Sequence, residues 1–172
     1  MEKFAFIIHP LSIQDMAHVS PVLKFIPDSW LESALKLKKP FQVSHITGIK
    51  SPYAEAEGWF IGCPLTSRQM VELPEEFVMD RIIESGRIAQ ELGAKIVGLG
   101  AFTSIVGDAG VTVAQNLDIA VTSGNSYTVA TALEGTREAV KLMGKDLATA
   151  HVTVVGASGS IGAACTRILA RE

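Results

Sequence analysis

Three glycines near the end of the chain have the spacing that points most clearly to a chemical role. Gly156, Gly159 and Gly162 follow an apolar, β-branched run at 151–155 and precede apolar residues at helical spacing. A strand that turns into a helix through this G-x-x-G-x-x-G pattern is a variant of the fingerprint that binds the diphosphate of a dinucleotide. We therefore predict a binding site for NAD or NADP at this turn.

Each of the three positions in the turn requires glycine for a different physical reason. The first permits the sharp turn, the second lets the diphosphate approach the backbone, and the third lets the helix pack closely on the strand. The amides that begin the helix would point at the phosphates, helped by the helix dipole. The predicted cofactor-binding residues are Gly156, Ser158, Gly159, Ser160, Ile161 and Gly162.

The glycine turn has one alternative interpretation, a tight turn without a ligand. A P-loop is excluded because Gly162 is followed by Ala163, and a nucleophile elbow is excluded because position 160 is Ser. A complete unit needs about 30 residues, with an acidic residue about 20 residues past the glycines. We therefore expect 151–172 to be the start of an incomplete Rossmann domain that does not distinguish NAD from NADP.

Polar side chains directly follow two other predicted strands. Thr103 and Ser104 follow one of them, and Asn125 and Ser126 follow the next. Ligands of open α/β sheets bind beyond the carboxyl ends of the strands, so we predict these four residues as substrate-binding. The alternatives are side-chain bonds to the turn for Thr103 and Ser104, a left-handed turn at Asn125, and a helix N-cap at Ser126.

The remaining reactive residue types give weaker signals. His9 is either a general acid or a structural residue at a strand end. Cys63 and Cys165 are predicted as small buried hydrophobes, and the two cysteines and four histidines show no metal-ligand spacing, so we expect no metal site.

The pattern of the whole chain predicts an α/β fold with a mostly parallel sheet and flanking helices, followed by the first strand, turn and helix of a truncated Rossmann domain. Ser12 and Asp28 are each expected to be the N-cap of a helix. Ile13 would lie on the inward face of the first helix and Trp30 on the inward face of the second. Predicted strands span 3–8, 41–49, 58–63, 95–100, 118–122 and 151–155, with further helices over 74–92 and 126–143. The predicted domains are an N-terminal substrate domain (1–143), a linker (144–150) and the Rossmann start (151–172).

Composition excludes several classes of protein. Hydrophobic residues make up 48% of the 172 residues and the net charge is -3, so a sizeable core is expected and the basic footprint of a nucleic-acid binder is missing. We expect no signal peptide, and no apolar stretch of this sequence is long enough to span a membrane. We therefore expect a cytoplasmic protein, with homo-oligomerisation left open.

Three segments together resemble a known family. They are GAFTSI at 100–105, TSGNSYT at 122–128 and VTVVGASGSIG at 152–162. In this order and at similar spacing, they resemble the long-chain acyl-[acyl-carrier-protein] reductases of cyanobacteria. Segments 9–15 and 58–65 are similar as well.

The resemblance implies an enzyme that reduces a carrier-bound fatty acyl thioester to an aldehyde with NADPH, with an acyl-carrier protein as its partner. It also implies an N-terminal substrate domain, a Rossmann domain and a cysteine that takes the acyl group. That cysteine would lie beyond Glu172, so neither Cys63 nor Cys165 inherits the role and the catalytic residues are unknown. The stretch 107–113 would line an acyl channel or pack in the core.

Two alternatives to acyl reduction stay open at this point. The arrangement is shared more loosely with shikimate dehydrogenases and glutamyl-tRNA reductases, which makes a reductase of a small keto acid the first alternative. The second is a module that binds an acyl-carrier protein and has no chemistry of its own.

Overall fold

The computed structural model describes residues 1–15 and 25–172. These residues form a five-stranded sheet. The strands are β1 (Glu2–Ile8), β2 (Phe41–Lys50), β3 (Glu55–Gly62), β4 (Ile96–Leu99) and β5 (Ala120–Thr122). Their order is β2-β3-β1-β4-β5. β1 pairs in parallel with β3 and β4, β4 pairs in parallel with β5, and β2 is antiparallel to β3. The predicted α/β fold with a mostly parallel sheet is confirmed.

Helices within residues 1–123 flank the sheet, and two further helices lie in the chain after residue 124. They are α1 (Asp28–Leu37), α2 (Ser67–Glu72), α3 (Glu75–Glu91), α4 (Val111–Gln115), α5 (Asn125–Leu142) and α6 (Ser160–Leu169), with 3-10 turns at Ala101–Ser104 and Leu147–Thr149. Within the described residues, no helix is both long and apolar enough to cross a membrane.

Helix α3 supplies most of one side of the core. Pro74 is its N-cap, Glu75 and Glu76 lie in the first turn against the positive dipole end, and Gly93 follows with a left-handed φ of 87°. Its apolar face packs on the side of the sheet that carries Ala5 and Ile7, which are 1% and 0% exposed. The buried residues of this face are Val78, Met79, Ile82, Ile83 and Ala89. Each Val or Ile buried this way stabilises the fold by roughly 1.5–3 kcal/mol.

The opposite side of β1 carries phenylalanines that lie over glycines of the neighbouring strands. Phe4 faces Gly58 across the ladder with β3, and Phe6 faces Gly98 across the ladder with β4. A Cβ at Gly58 would lie 2.6 Å from the Phe4 ring, and one at Gly98 would lie 2.4 Å from the Phe6 ring. A larger residue at either position would therefore have to displace the facing ring.

The chain divides into two compact units, Met1–Ser123 and Gly124–Glu172. In the second unit α5 and α6 pack together, with Leu133, Val140 and Cys165 buried. Arg137 and Glu172 form an ion pair there. The assignment of 1–143 to a substrate domain and of 151–172 to a Rossmann domain stays a prediction.

Several predicted details are wrong. Residues 151–154 form no strand, because a strand needs a hydrogen-bonded neighbour and no strand is assigned within 124–172. The N-cap of α1 is Pro27, not Asp28, and Trp30 is 71% exposed instead of inward. Most of the helix predicted after Ser12 lies outside the described residues.

Candidate functional site

The carboxyl ends of β1, β3 and β4 lie at one edge of the sheet because these strands are parallel. The chain leaves β1 toward the side of β3, and it leaves β4 toward β5 on the other side. Connections that diverge from two adjacent strands leave a crevice between them, which is where open α/β sheets bind ligands. In this chain the strand order places this position between β1 and β4.

His9 and the turn Ala101–Ser104 stand on the two sides of this crevice. The Nε2 atom of His9 accepts a hydrogen bond from the N–H of Phe102 at 3.2 Å, and Nδ1 lies 3.0 Å from the carbonyl oxygen of Pro10. The His9 and Phe102 rings meet edge to face with their centroids 6.1 Å apart. Burial lowers the pKa of His9 below its ordinary value, opposed by the Pro10 carbonyl.

Thr103 and Ser104, both predicted to bind substrate, make hydrogen bonds within their own turn. The Thr103 hydroxyl donates to the carbonyl of Gly100 at 2.8 Å, and the Ser104 hydroxyl donates to the carbonyl of Ala101 at 2.7 Å. Thr103 is 1% exposed, whereas Ser104 is half-buried. The structure shows the turn bonds that were the alternative interpretation, and a substrate role for either residue stays a prediction.

Cys63 follows β3 at the same edge and has the properties of an inert thiol. Its side chain is fully buried, and its backbone N–H extends the ladder by donating to the carbonyl of Ile8 at 2.8 Å. Burial raises the pKa of this thiol to about 11, partly opposed by a hydrogen bond with Ser85. A thiol that stays protonated at neutral pH is a poor nucleophile.

An apolar cavity of about 260 Å³ opens beside Cys63, at the ends of β1 and β3. Its apolar walls come from four segments of the first unit, and His9 and Asp15 are its titratable polar neighbours. The lining residues are Ile8, His9, Pro10, Asp15, Leu35, Phe41, Val43, Gly62, Cys63 and Pro64. A Cβ at Gly62 would lie 3.0 Å from Val43 and 3.2 Å from Phe41, so this glycine keeps room between β2 and β3.

The stretch 107–113 does not form an apolar channel. Val113 is fully buried in the core of the first unit. The cavity that borders Gly107 and Asp108 is also lined by acidic side chains, including Glu75 and Asp80. Val113 therefore packs in the core, which was the alternative to an acyl channel for this stretch.

The glycine turn of the second unit leads into a helix as the sequence predicts, although no strand precedes it. Gly156 is left-handed with a φ of 77°, and its carbonyl accepts from the N–H of Gly159 at 3.0 Å. A Cβ at Gly162 would lie 2.2 Å from that same carbonyl oxygen, so no side chain fits there. Helix α6 begins at Ser160 without a side-chain cap, which leaves its first N–H groups without intrahelical acceptors.

Two predicted site residues come together in the second unit. The side-chain amide of Asn125 donates to the hydroxyl of Ser160 at 2.8 Å. Ser126 lies in the first turn of α5, whose N-cap is the left-handed Gly124, so the alternative of Ser126 as an N-cap is wrong. Ser158 is exposed, and the ligand roles of all these residues stay predictions.

Comparison with known proteins finds distant similarities. No protein-family model matches the chain. The chain is 28% identical over 179 aligned residues to Aminotransferase PigE of Serratia sp. (strain ATCC 39006), an alignment that covers 97% of this chain and 20% of that protein. It is 32% identical over 103 residues to the long-chain acyl-[acyl-carrier-protein] reductase of Synechococcus elongatus, which covers 52% of this chain and 28% of that protein.

The two relatives are named for different classes of enzyme, and this chain spans only about a fifth and somewhat over a quarter of their lengths. The activity of either whole protein therefore does not transfer to this chain by similarity. What the comparison shows is a distant and partial similarity to an acyl-[acyl-carrier-protein] reductase.

Proposed function

We propose that this chain is the N-terminal part of an NAD(P)H-dependent reductase that converts a carrier-bound acyl thioester to an aldehyde. The observation that carries the proposal is the apolar cavity at the carboxyl ends of β1 and β3, next to the crevice between β1 and β4. The similarity to an acyl-[acyl-carrier-protein] reductase supports the same assignment.

The cavity suits the chain of an acyl group. Small-molecule sites are mostly apolar and have a few polar groups that fix orientation, and here Leu35, Phe41 and Val43 supply apolar walls while His9 and Asp15 are polar. Each methylene that enters such a cavity contributes roughly 0.8 kcal/mol. Four methylenes would thus contribute about 3 kcal/mol, enough to select an acyl chain over an acetyl group.

The turn of the second unit fits the diphosphate of a dinucleotide. Gly156 and Gly162 shape a turn in which a Cβ at position 162 would collide with backbone, and the N–H groups of Ser160 and Ile161 lie in the uncapped first turn of α6. A bound nicotinamide cofactor would supply the hydride, with NADP favoured by the resemblance. The part of this chain is to bind and orient the diphosphate.

Neither cysteine of this chain takes the acyl group in the proposed reaction. Cys63 is fully buried and stays protonated at neutral pH, and Cys165 is 8% exposed on the packed face of α6. We place the acyl-accepting cysteine in the part of the protein beyond Glu172.

The test uses the full-length protein with an acyl-carrier protein that carries long or short acyl chains. Val43→Phe should fill the cavity and raise the KM for a long-chain thioester several-fold, with little effect on an acetyl thioester. Val71→Phe is the matched control, because Val71 is 68% exposed on α2 and lies outside the cavity. NADPH oxidation with a small keto acid and none with thioesters would overturn the proposal in favour of a shikimate-type reductase.

A further inference from the structure

The two hydrogen bonds of His9 fix where its proton is. The backbone N–H of Phe102 is a donor, so the Nε2 atom that faces it at 3.2 Å must present a lone pair. The carbonyl of Pro10 is an acceptor, so the Nδ1 atom at 3.0 Å must carry the hydrogen. The imidazole is therefore neutral, in its Nδ1–H form, and both of its nitrogens are occupied.

The bond to Phe102 joins the ends of two strands just past the last pair of their ladder. β1 and β4 pair as far as Ile7 and Leu99, and the N–H of Gly100 donates to the carbonyl of Ile7 at 3.1 Å. His9 continues this connection with a side chain where the backbones separate. It thereby connects the ends of β1 and β4.

The turn held by this bond starts in a conformation that needs support. Ala101 has a φ of 46°, in the left-handed region that residues with a Cβ rarely adopt. A Cβ at Gly100 would lie 2.6 Å from the carbonyl oxygen of Ile7, so the backbones also approach closely. Strained conformations persist where surrounding contacts hold them, and the His9 bond to the next residue, Phe102, is such a contact.

We propose that His9 is a positioning residue that pins the Ala101–Ser104 turn to the end of β1 in its neutral Nδ1–H form, and that proton uptake by its ring releases the turn. The proposal rests on the proposed function only for its effect on turnover, because His9 lines the cavity that we propose for the acyl group. It excludes His9 as the general acid, since its one N–H proton is bonded to the chain's own carbonyl.

Protonation is incompatible with the bond to Phe102. An imidazolium carries hydrogens on both nitrogens, so the new Nε2–H would face the Phe102 N–H, donor against donor, and the ring would have to turn away. The titratable described residues that line the cavity beside His9 are Asp15 and Cys63. The Asp15 carboxylate already accepts from the N–H and hydroxyl of Ser12 at 2.8 and 3.1 Å, and Cys63 is a neutral thiol.

The first test reads the protons directly by NMR. Long-range ¹H–¹⁵N correlation on the chain should show His9 protonated on Nδ1 at neutral pH. The Phe102 amide resonance should then titrate with the His9 ring, with a midpoint below the ordinary histidine value. An Nε2–H form, or a Phe102 amide that ignores the His9 titration, would overturn the proposal without touching the proposed function.

The second test compares variants at neutral pH by hydrogen exchange. His9→Phe keeps an aromatic ring but removes the acceptor, and we expect the Phe102 amide to exchange at least tenfold faster. His9→Gln retains an acceptor and should restore much of the protection, while His151→Gln is the control because His151 is exposed in the second unit. Equal exchange in His9→Phe and the control would overturn the proposal, and the NMR titration of the unaltered chain decides if His9→Phe does not fold.

Discussion

The side-chain amide of Asn125 donates a hydrogen bond of 2.8 Å to the hydroxyl of Ser160, and this bond joins the first residues of helices α5 and α6. The two residues are 35 positions apart in the sequence. The hydroxyl that Asn125 holds belongs to the helix end that we propose for the cofactor diphosphate. Asn125 therefore acts on the proposed cofactor site from outside it.

This bond predicts an energetic coupling between the two residues. A neutral hydrogen bond contributes about 0.5–1.5 kcal/mol, and Ser160 is exposed while Asn125 is half-buried, so we expect a coupling of about 0.5 kcal/mol. The measurement is a double-mutant cycle of Asn125→Ala and Ser160→Ala by urea unfolding. Ser126→Ala with Ser160→Ala is the control pair and should be additive. Additivity in both pairs would mean that the bond contributes nothing.

Two glycines of the second unit, Gly162 in the glycine turn and Gly135 in α5, predict opposite changes in stability when each is replaced by alanine. Gly162→Ala places a Cβ 2.2 Å from the carbonyl oxygen of Gly156, a backbone atom that cannot easily move. We expect it to lower the free energy of unfolding by about 1–3 kcal/mol and to weaken NADPH binding by the full-length protein. Gly135→Ala lies in α5 with open space around the new Cβ, and should raise stability by about 0.5–1 kcal/mol.

Urea unfolding followed by circular dichroism measures both changes, and fluorescence titration with NADPH measures the binding. A stable Gly162→Ala protein that binds NADPH as tightly as the parent protein would contradict the role assigned to this turn.

The environment of His9 predicts that stability falls as the solution is acidified. Burial lowers the pKa of His9 in the folded state, so the unfolded chain takes up the proton first. The His9 contribution is then fully present above the ordinary value of about 6.5 and is lost as pH falls through the folded-state pKa. The measurement is the free energy of unfolding from about pH 7.5 to about pH 5, with the buried Trp59 as the fluorescent reporter.

His9→Phe should remove this part of the pH dependence. The parent should therefore lose more unfolding free energy than His9→Phe as the pH falls, and the difference between the two proteins should become smaller at acid pH. His151→Gln is the matched histidine substitution, because His151 is exposed in the second unit. Parallel profiles for His9→Phe and the parent would show that His9 is not the group that titrates.

The burial of both cysteines predicts that the native chain resists alkylation. Cys63 is fully buried with a pKa raised to about 11, and Cys165 is 8% exposed. Iodoacetamide at neutral pH should therefore modify neither residue in native conditions and both in urea, as read by mass spectrometry. In the full-length protein Cys63→Ser should retain thioester reduction. Rapid native labelling of Cys63 would reopen the question of the acyl-accepting residue.

Much of the first unit could be predicted from local patterns. The apolar runs at 3–8 and 95–100 predict β1 and β4 because strands of parallel sheets are often continuously apolar, although Phe6, Ile8 and Ile96 are exposed in the structure. The spacing of apolar residues over 74–92, with Pro at one end and Gly at the other, predicts α3. In these elements local preference and tertiary packing agree.

Other elements could not be found by periodicity. Helix α2 has six residues, too few to show a period, although Thr66 and Gln69 form a capping box that the sequence displays as T-S-R-Q. The run 151–155 has the composition of a strand but no partner in its unit. Trp30 satisfies the pattern of an inward residue and is nevertheless exposed, because a helical pattern does not say how much of the helix is covered.

The candidate site itself depends on contacts between distant parts of the chain. The bond from Phe102 to His9 spans 93 positions, and the cavity wall combines Leu35 from α1 with Val43 from β2 and Cys63 after β3. A sequence pattern reports neighbours on one element. It therefore identified Thr103 and Ser104 as candidates and could not show that His9 is the residue that holds their turn.

The pairs Phe4–Gly58 and Phe6–Gly98 affect which substitutions the central strands of the sheet can accept. Each aromatic ring occupies the volume that a larger residue on the next strand would need. A gain in size at either glycine must therefore displace the facing ring or be matched by a smaller residue on β1. A chimera that takes β3 or β4 from a protein with a larger residue at one of these positions would begin with that ring out of place.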